Sequence, residues 1–148
     1  MANADADEAV LAGIALFASV KPKELRCLAS EAQRFTFGPG HHVTDDDGFG
    51  TAFVVIVNGS VEVSVHGRPV RQIGPGGYFG EMAVITRDPR SATIITQVDT
   101  TCLMYSRSVF QPFVISHPDV AWALLEHMVQ RVREVESRVA RGSEASAE

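Results

Sequence analysis

Asn58-Gly59, set between TAFVVIV and SVEVSV, constrains this chain more than any other feature. Both residues tolerate positive φ, so the pair predicts a hairpin between two β-branched runs. From 43 to 106 the apolar residues recur with a period of two. Val61, Val63 and Val65 share one face, with Glu62 and Ser64 opposite. HGRP, at 66–69, marks a second turn, and SATIITQV and TTCLMYS read as a further strand pair around Asp99. Short strands spaced by turns predict a small antiparallel barrel or jelly roll.

The flanks follow a different period. Over residues 5–32, Leu25, Leu28 and Ala29 keep helical spacing, and Pro22 suits a first turn. After Tyr105 come one short helix and one long one, with Pro118 opening the second. In the long helix Leu125, Met128, Val132, Val135 and Val139 form a heptad seam, with Arg133, Glu134 and Arg138 off it. Such a seam packs either on its own barrel or on a second copy. It runs past what one small barrel covers, so a homodimer through the 119–141 helix is expected.

The predicted fold is mainly β with flanking helices: an antiparallel jelly-roll β-barrel with N-terminal helices and a long C-terminal helix. At 148 residues one domain spans 1–148. It divides into N-terminal helices (1–34), the barrel (35–107), C-terminal helices (108–141) and a tail (142–148) expected to be disordered.

Composition excludes several classes. The net charge is −5, and the basic cluster Arg131, Arg133, Arg138 and Arg141 is interleaved with Glu134 and Glu136. That pattern reads as a solvated face, so no nucleic-acid partner is expected. The start, MANADADEAV, lacks a basic n-region, and no apolar run has membrane length. A cytoplasmic protein without a membrane partner is expected. Cys27 and Cys102 stand far apart, outside any metal or redox pattern, and read as buried small apolar residues. His41-His42, with His66, His117 and His127, supply no metal set and read as surface histidines. Trp122 reads as a packing residue. No catalytic constellation is visible, so neither an enzyme nor a cofactor is expected.

The chemistry lies in FGEMAVITRDPRSATI, residues 79–94. Gly80 lets a ligand approach the backbone or lets the chain turn with positive φ. EMAVI suits about one helical turn, whose start offers unpaired N–H groups. Arg90, after Pro89, presents a planar fork of donors that fits phosphate oxygens. An ionised Glu81 only accepts, so it wants hydroxyl or N–H donors. The bland alternative is a surface Glu81–Arg90 pair, contributing only ~0–1 kcal/mol. Phosphate donors at one end and a hydroxyl acceptor at the other match a phosphorylated sugar.

The same stretch resembles the phosphate-binding cassette of cyclic nucleotide-binding domains, here residues 79–93. IVNGSVEV is similar to that family's hairpin and IGPGGYFGE to the approach to its cassette. LFASVKPKELRCLA and SRSVFQPFVISHPDVAWALL are similar to its flanking helices, so the likeness covers roughly 14–140. The resemblance implies that Glu81 accepts from the ribose 2′-hydroxyl and Arg90 pairs with the cyclic phosphate. Backbone N–H groups near Gly80, Met82 and Ala83 would complete the cradle. Ser91 would touch the phosphate or a syn base. Serine leaves the base open, with cyclic AMP expected and cyclic GMP the alternative. By spacing from His117-Pro118-Asp119, Arg131 falls where some bacterial members place a helix arginine near the ligand. Val135 and Glu136 fall where those members use hydroxyl residues, and valine can make no such bond. Asp47-Gly48 reverses the family's usual Gly-Asp turn.

The resemblance thus implies a cyclic nucleotide sensor that repositions its C-terminal helix. No output domain is recognised, so an effector protein or a fused domain missing here would carry the response. The alternative is a degenerate domain of the same fold, serving as a dimerisation module without ligand.

Overall fold

The computed structural model describes residues 2–43, 51–86 and 92–147. Helix α1 (Ala2–Ala12), a 3-10 turn (Ala15–Phe17) and α2 (Pro22–Glu31) precede the strands. The strands are β1 (Gln33–Phe37), β2 (His42–Val43), β3 (Phe53–Asn58), β4 (Val61–Val65), β5 (Arg68–Ile73), β6 (Tyr78–Phe79), β7 (Thr93–Thr96) and β8 (Thr100–Tyr105). Helix α3 (Glu81–Thr86) interrupts them, and α4 (Arg107–Ser116) and α5 (Pro118–Ala147) follow.

Two antiparallel four-stranded sheets result, ordered β1-β8-β3-β6 and β2-β7-β4-β5. Among the described residues no pairing joins them, so the expected closed barrel is corrected to two separate sheets in a jelly-roll arrangement. The expected Asn58-Gly59 hairpin is corrected too. β3 pairs with β8 and β6, while β4 pairs with β5 and β7, so the turn carries the chain between sheets. The same holds at Asp99, where β7 and β8 part company. The two corners bind each other: Gln97 N–H donates to Ser60 O at 2.9 Å and the Thr100 hydroxyl to Ser60 O at 3.2 Å. The true hairpin is β4–β5, turning at His66 and Gly67, both at positive φ.

β3 shows why its sequence is apolar throughout. Phe53 and Val55 face the helices, packing with Phe17, Leu103, Phe110 and Leu124. Val54 and Ile56 face the second sheet, packing with Val61, Val63, Ile94 and Cys102. A strand buried on both faces has no room for alternation. Tyr105 donates its hydroxyl to Leu28 O at 2.9 Å, tying β8 to α2.

Three local expectations change. Cys27 is exposed, and only Cys102 is buried. Trp122 is 65% exposed rather than packed. Helix α5 continues to Ala147, through residues expected to form a disordered tail. Its start is anchored by His117, whose Nε2 lies 2.9 Å from Glu24 Oε2 and whose Nδ1 lies 2.8 Å from Phe113 O. The Phe113 carbonyl and then Glu24 raise the pKa of that imidazole, partly opposed by burial. No described helix is long and apolar enough to cross a membrane.

Candidate functional site

β6 delivers the chain to Gly80, whose φ of 89° places it in the left-handed region that suits a residue without Cβ. α3 starts at once, so Glu81 is turned inward. It is 2% exposed, among the most buried charged groups described. Its Oε1 accepts from Arg131 Nη1 at 2.9 Å, and His127 Nε2 stands 3.6 Å away. Among the described residues its Oε2 is buried with no hydrogen-bond partner. A buried acceptor left unmade is costly, and native proteins keep few.

Beside it opens a cavity of about 380 Å³, within the range of small-molecule sites. Gly80, Glu81, Met82, Ala83 and Arg131 all line it, together with Val63, Ile94 and Arg71. The structure therefore brings together five of the seven residues singled out in the sequence. Arg90 and Ser91, with Asp47-Gly48, lie outside the described residues.

The lid is α5. Its His127, Arg131, Glu134 and Arg138 recur at +4, +3 and +4, which places them on one helical face. Arg131 reaches Glu81, His127 lies against the Tyr78 ring with centroids 5.1 Å apart, and Arg138 donates to Val70 O at 3.4 Å. Most of the apolar seam faces away from this cavity, while Met128 is half-buried and lines, with Leu125, a groove against α4. Leu125, Val132, Val135 and Val139 are each more than half exposed. Val135 thus takes no part in the cavity.

Three residues of the site escaped the sequence reading. Arg71 pairs in register with Val63, whose side chain is buried, so its own position faces inward. Its Nε is buried without a partner among the described residues. Burial, and then Arg131 beside it, push the pKa of this guanidinium down, against Glu81 and Glu134. Tyr78 is pushed up to about 12 by burial, with Glu81 adding to it. His127, expected at the surface, is half-buried. Burial lowers its pKa, Glu81 opposes, and Arg131 and Arg71 add to the fall. The +4 spacing from His127 to Arg131 was the available signal for the histidine. For Arg71 only strand register could have shown the direction.

A two-sheet sandwich with an inward carboxylate and two arginines lining a cavity of small-molecule size suits a small-ligand-binding domain. Residues 34–117, more than half of the chain, match the family model described as the cyclic nucleotide-binding domain. The chain belongs to that family.

Among its relatives is a cGMP-dependent protein kinase of Toxoplasma gondii, 28% identical over 99 residues, which are 67% of this chain and 10% of the kinase. A CRP-like cAMP-activated global transcriptional regulator of Mycobacterium tuberculosis is 23% identical over 136 residues, 88% of this chain and 61% of the regulator. The chain thus spans a tenth of the one and about three fifths of the other. The catabolite activator protein of Thermus thermophilus superposes with a TM-score of 0.76 at 27% identity, covering 86% of this chain and 62% of that one. A cAMP-bound PfPKA-R, at 19% identity and TM-score 0.77, shares the fold over 94% of this chain and 48% of its own.

Proposed function

We propose that this chain is a cyclic nucleotide sensor, a regulatory domain rather than an enzyme, acting in the cytoplasm. The observation that carries the reading is the buried Glu81 Oε2, unpartnered among the described residues, beside a cavity of nucleotide scale. A ribose hydroxyl supplies the missing donor. Gly80, Met82 and Ala83 would lie along the sugar and phosphate, and Arg90 with Ser91 would hold the phosphate, as the family resemblance implies. Arg131 bonds the carboxylate that the sugar needs, so ligand entry and the docking of α5 are coupled. That coupling would reposition α5 and signal to an effector protein or a fused domain.

Ser91 leaves the base open, and cyclic AMP is the ligand expected. Cyclic GMP is favoured by one observation, the inward Arg71, whose Nε has no partner among the described residues. A guanidinium matches two acceptors, as on guanine O6 and N7, better than the acceptor and amino donor of adenine. Calorimetric titration of both nucleotides into the wild type and Arg71→Ser decides. A cyclic GMP preference of tenfold or more, lost in the variant, supports guanine. A cyclic AMP preference unchanged in the variant removes Arg71 from base choice. No heat with either nucleotide leaves the ligand-free dimerisation module.

The exposed seam on α5 supports a homodimer through 119–141. An apolar stripe facing water is a liability that a second copy removes. Sedimentation at tens of micromolar should give twice the monomer mass, reverting to monomer in Val132→Glu/Val139→Glu. A wild-type monomer at high micromolar concentration would sink the dimer.

A further inference from the structure

His117 closes α4 and opens α5. Its N–H donates back to Val114 O at 3.1 Å, and its carbonyl accepts from the Val120 and Ala121 N–H groups at 2.9 and 3.2 Å. One residue therefore caps two helices, with Pro118 directly after it. Its ring stacks on Phe113 of α4, with centroids 4.2 Å apart, and reaches across to Glu24 of α2.

Both ring nitrogens meet acceptors. Nδ1 faces the Phe113 carbonyl at 2.8 Å, and Nε2 faces the Glu24 carboxylate at 2.9 Å. A carbonyl and an ionised carboxylate can only accept. A neutral imidazole has one N–H and one lone pair, so either tautomer turns a lone pair toward an acceptor at hydrogen-bond distance. Only the imidazolium donates to both. Ser116 Oγ, 3.1 Å from Nδ1, does not relieve this, because its own proton goes to Phe113 O at 3.0 Å. On the α2 side the hydrogen bond from His117, and more weakly Lys21, hold the Glu24 carboxyl below its usual range, partly opposed by desolvation. Among the described residues no other acid pairs with the ring, Asp119 of α5 included.

We propose that His117 is a pH-sensitive clasp between α2 and the root of α5, closed while its ring is charged and released when the ring loses its proton. The clasp goes beyond the sensor reading and needs no ligand. The Phe113 carbonyl, and then Glu24, lift the imidazole above its ordinary 6.5, so release falls on the alkaline side of that value. A group whose pKa is raised by folding stabilises fully below its unfolded value, and the contribution fades as pH rises through the folded one. α5 carries Arg131 to the cavity, so a freer root loosens the lid as well as the joint.

The test follows the ring signals of the five histidines by NMR from about pH 5 to about pH 9, which spans the histidine range. His117→Gln assigns the signal. Hydrogen-exchange protection factors of the Val120 and Ala121 amides, which bond the His117 carbonyl, are measured alongside. In wild type the His117 midpoint should lie above 6.5, and protection of the two amides should fall across it by at least about threefold. His127→Gln should keep that fall and His117→Gln should abolish it. Glu24→Gln, whose amide can donate to a neutral Nε2, should lower the midpoint and flatten the fall. A His117 midpoint at or below 6.5 overturns the proposal, as does a fall in protection that survives in His117→Gln or a protection that ignores the midpoint. Should His117→Gln not fold, Glu24→Gln decides, and an unchanged midpoint in it overturns the clasp.

Discussion

Glu81→Ala is expected to cut cyclic nucleotide affinity by about 30-fold to a few thousand-fold. Truncating one partner of a buried, hydrogen-bonded charge pair costs about 2–5 kcal/mol, and each 1.4 kcal/mol is about tenfold. The loss has two sources here. The sugar hydroxyl loses an ionised acceptor, and Arg131 and the inward Arg71 lose the carboxylate that balances them. Glu81→Gln separates the two, because the amide still accepts while the charge is gone. Calorimetry measures the affinity, and urea unfolding shows whether the fold survives. Wild-type affinity in a folded Glu81→Ala would remove the carboxylate from the site.

Gly59→Ala is expected to destabilise the fold by about 2–6 kcal/mol, combining left-handed strain with overpacking. Gly59 has a φ of 89°, and a Cβ there would stand 2.7 Å from Thr100 Cα and closer still to the Asp99 carbonyl. Backbone cannot swing aside as a long side chain does. Gly67 is the natural control. Its φ is 77°, yet a Cβ added there meets nothing within 4 Å. Gly67→Ala should therefore cost strain alone, about 1–3 kcal/mol. Urea midpoints compare the two. Equal losses would mean that the contact between the corners contributes nothing.

The contrast between those glycines shows how far sequence reading reaches. Asn58-Gly59 and His66-Gly67 both announced turns, and both turns exist. What local chemistry does not encode is whether the strands on either side pair with each other. That depends on β3 finding β8, more than forty residues later in the chain. Inward and outward faces were legible wherever one side is dry, as at Val61 and Val63. The cavity positions of Gly80 and Glu81 were legible because these residues adjoin in sequence what they adjoin in space, while Arg90 and Ser91 lie outside the described residues. Arg131 was found by spacing from a motif. Arg71 and His127 were missed because an inward arginine or a half-buried histidine looks in sequence like any exposed one. Cys27 failed for the opposite reason, since an isolated cysteine carries no direction.

Helix α5 presents its charged face to the cavity and its valines to the outside. On the proposed reading one helix would serve two equilibria. If its outer stripe meets a twin only in one docking pose, dilution and nucleotide affinity become reciprocal quantities, each shifting the other by the same factor. Titrations at nanomolar and at high micromolar protein would then return different dissociation constants for the same molecule.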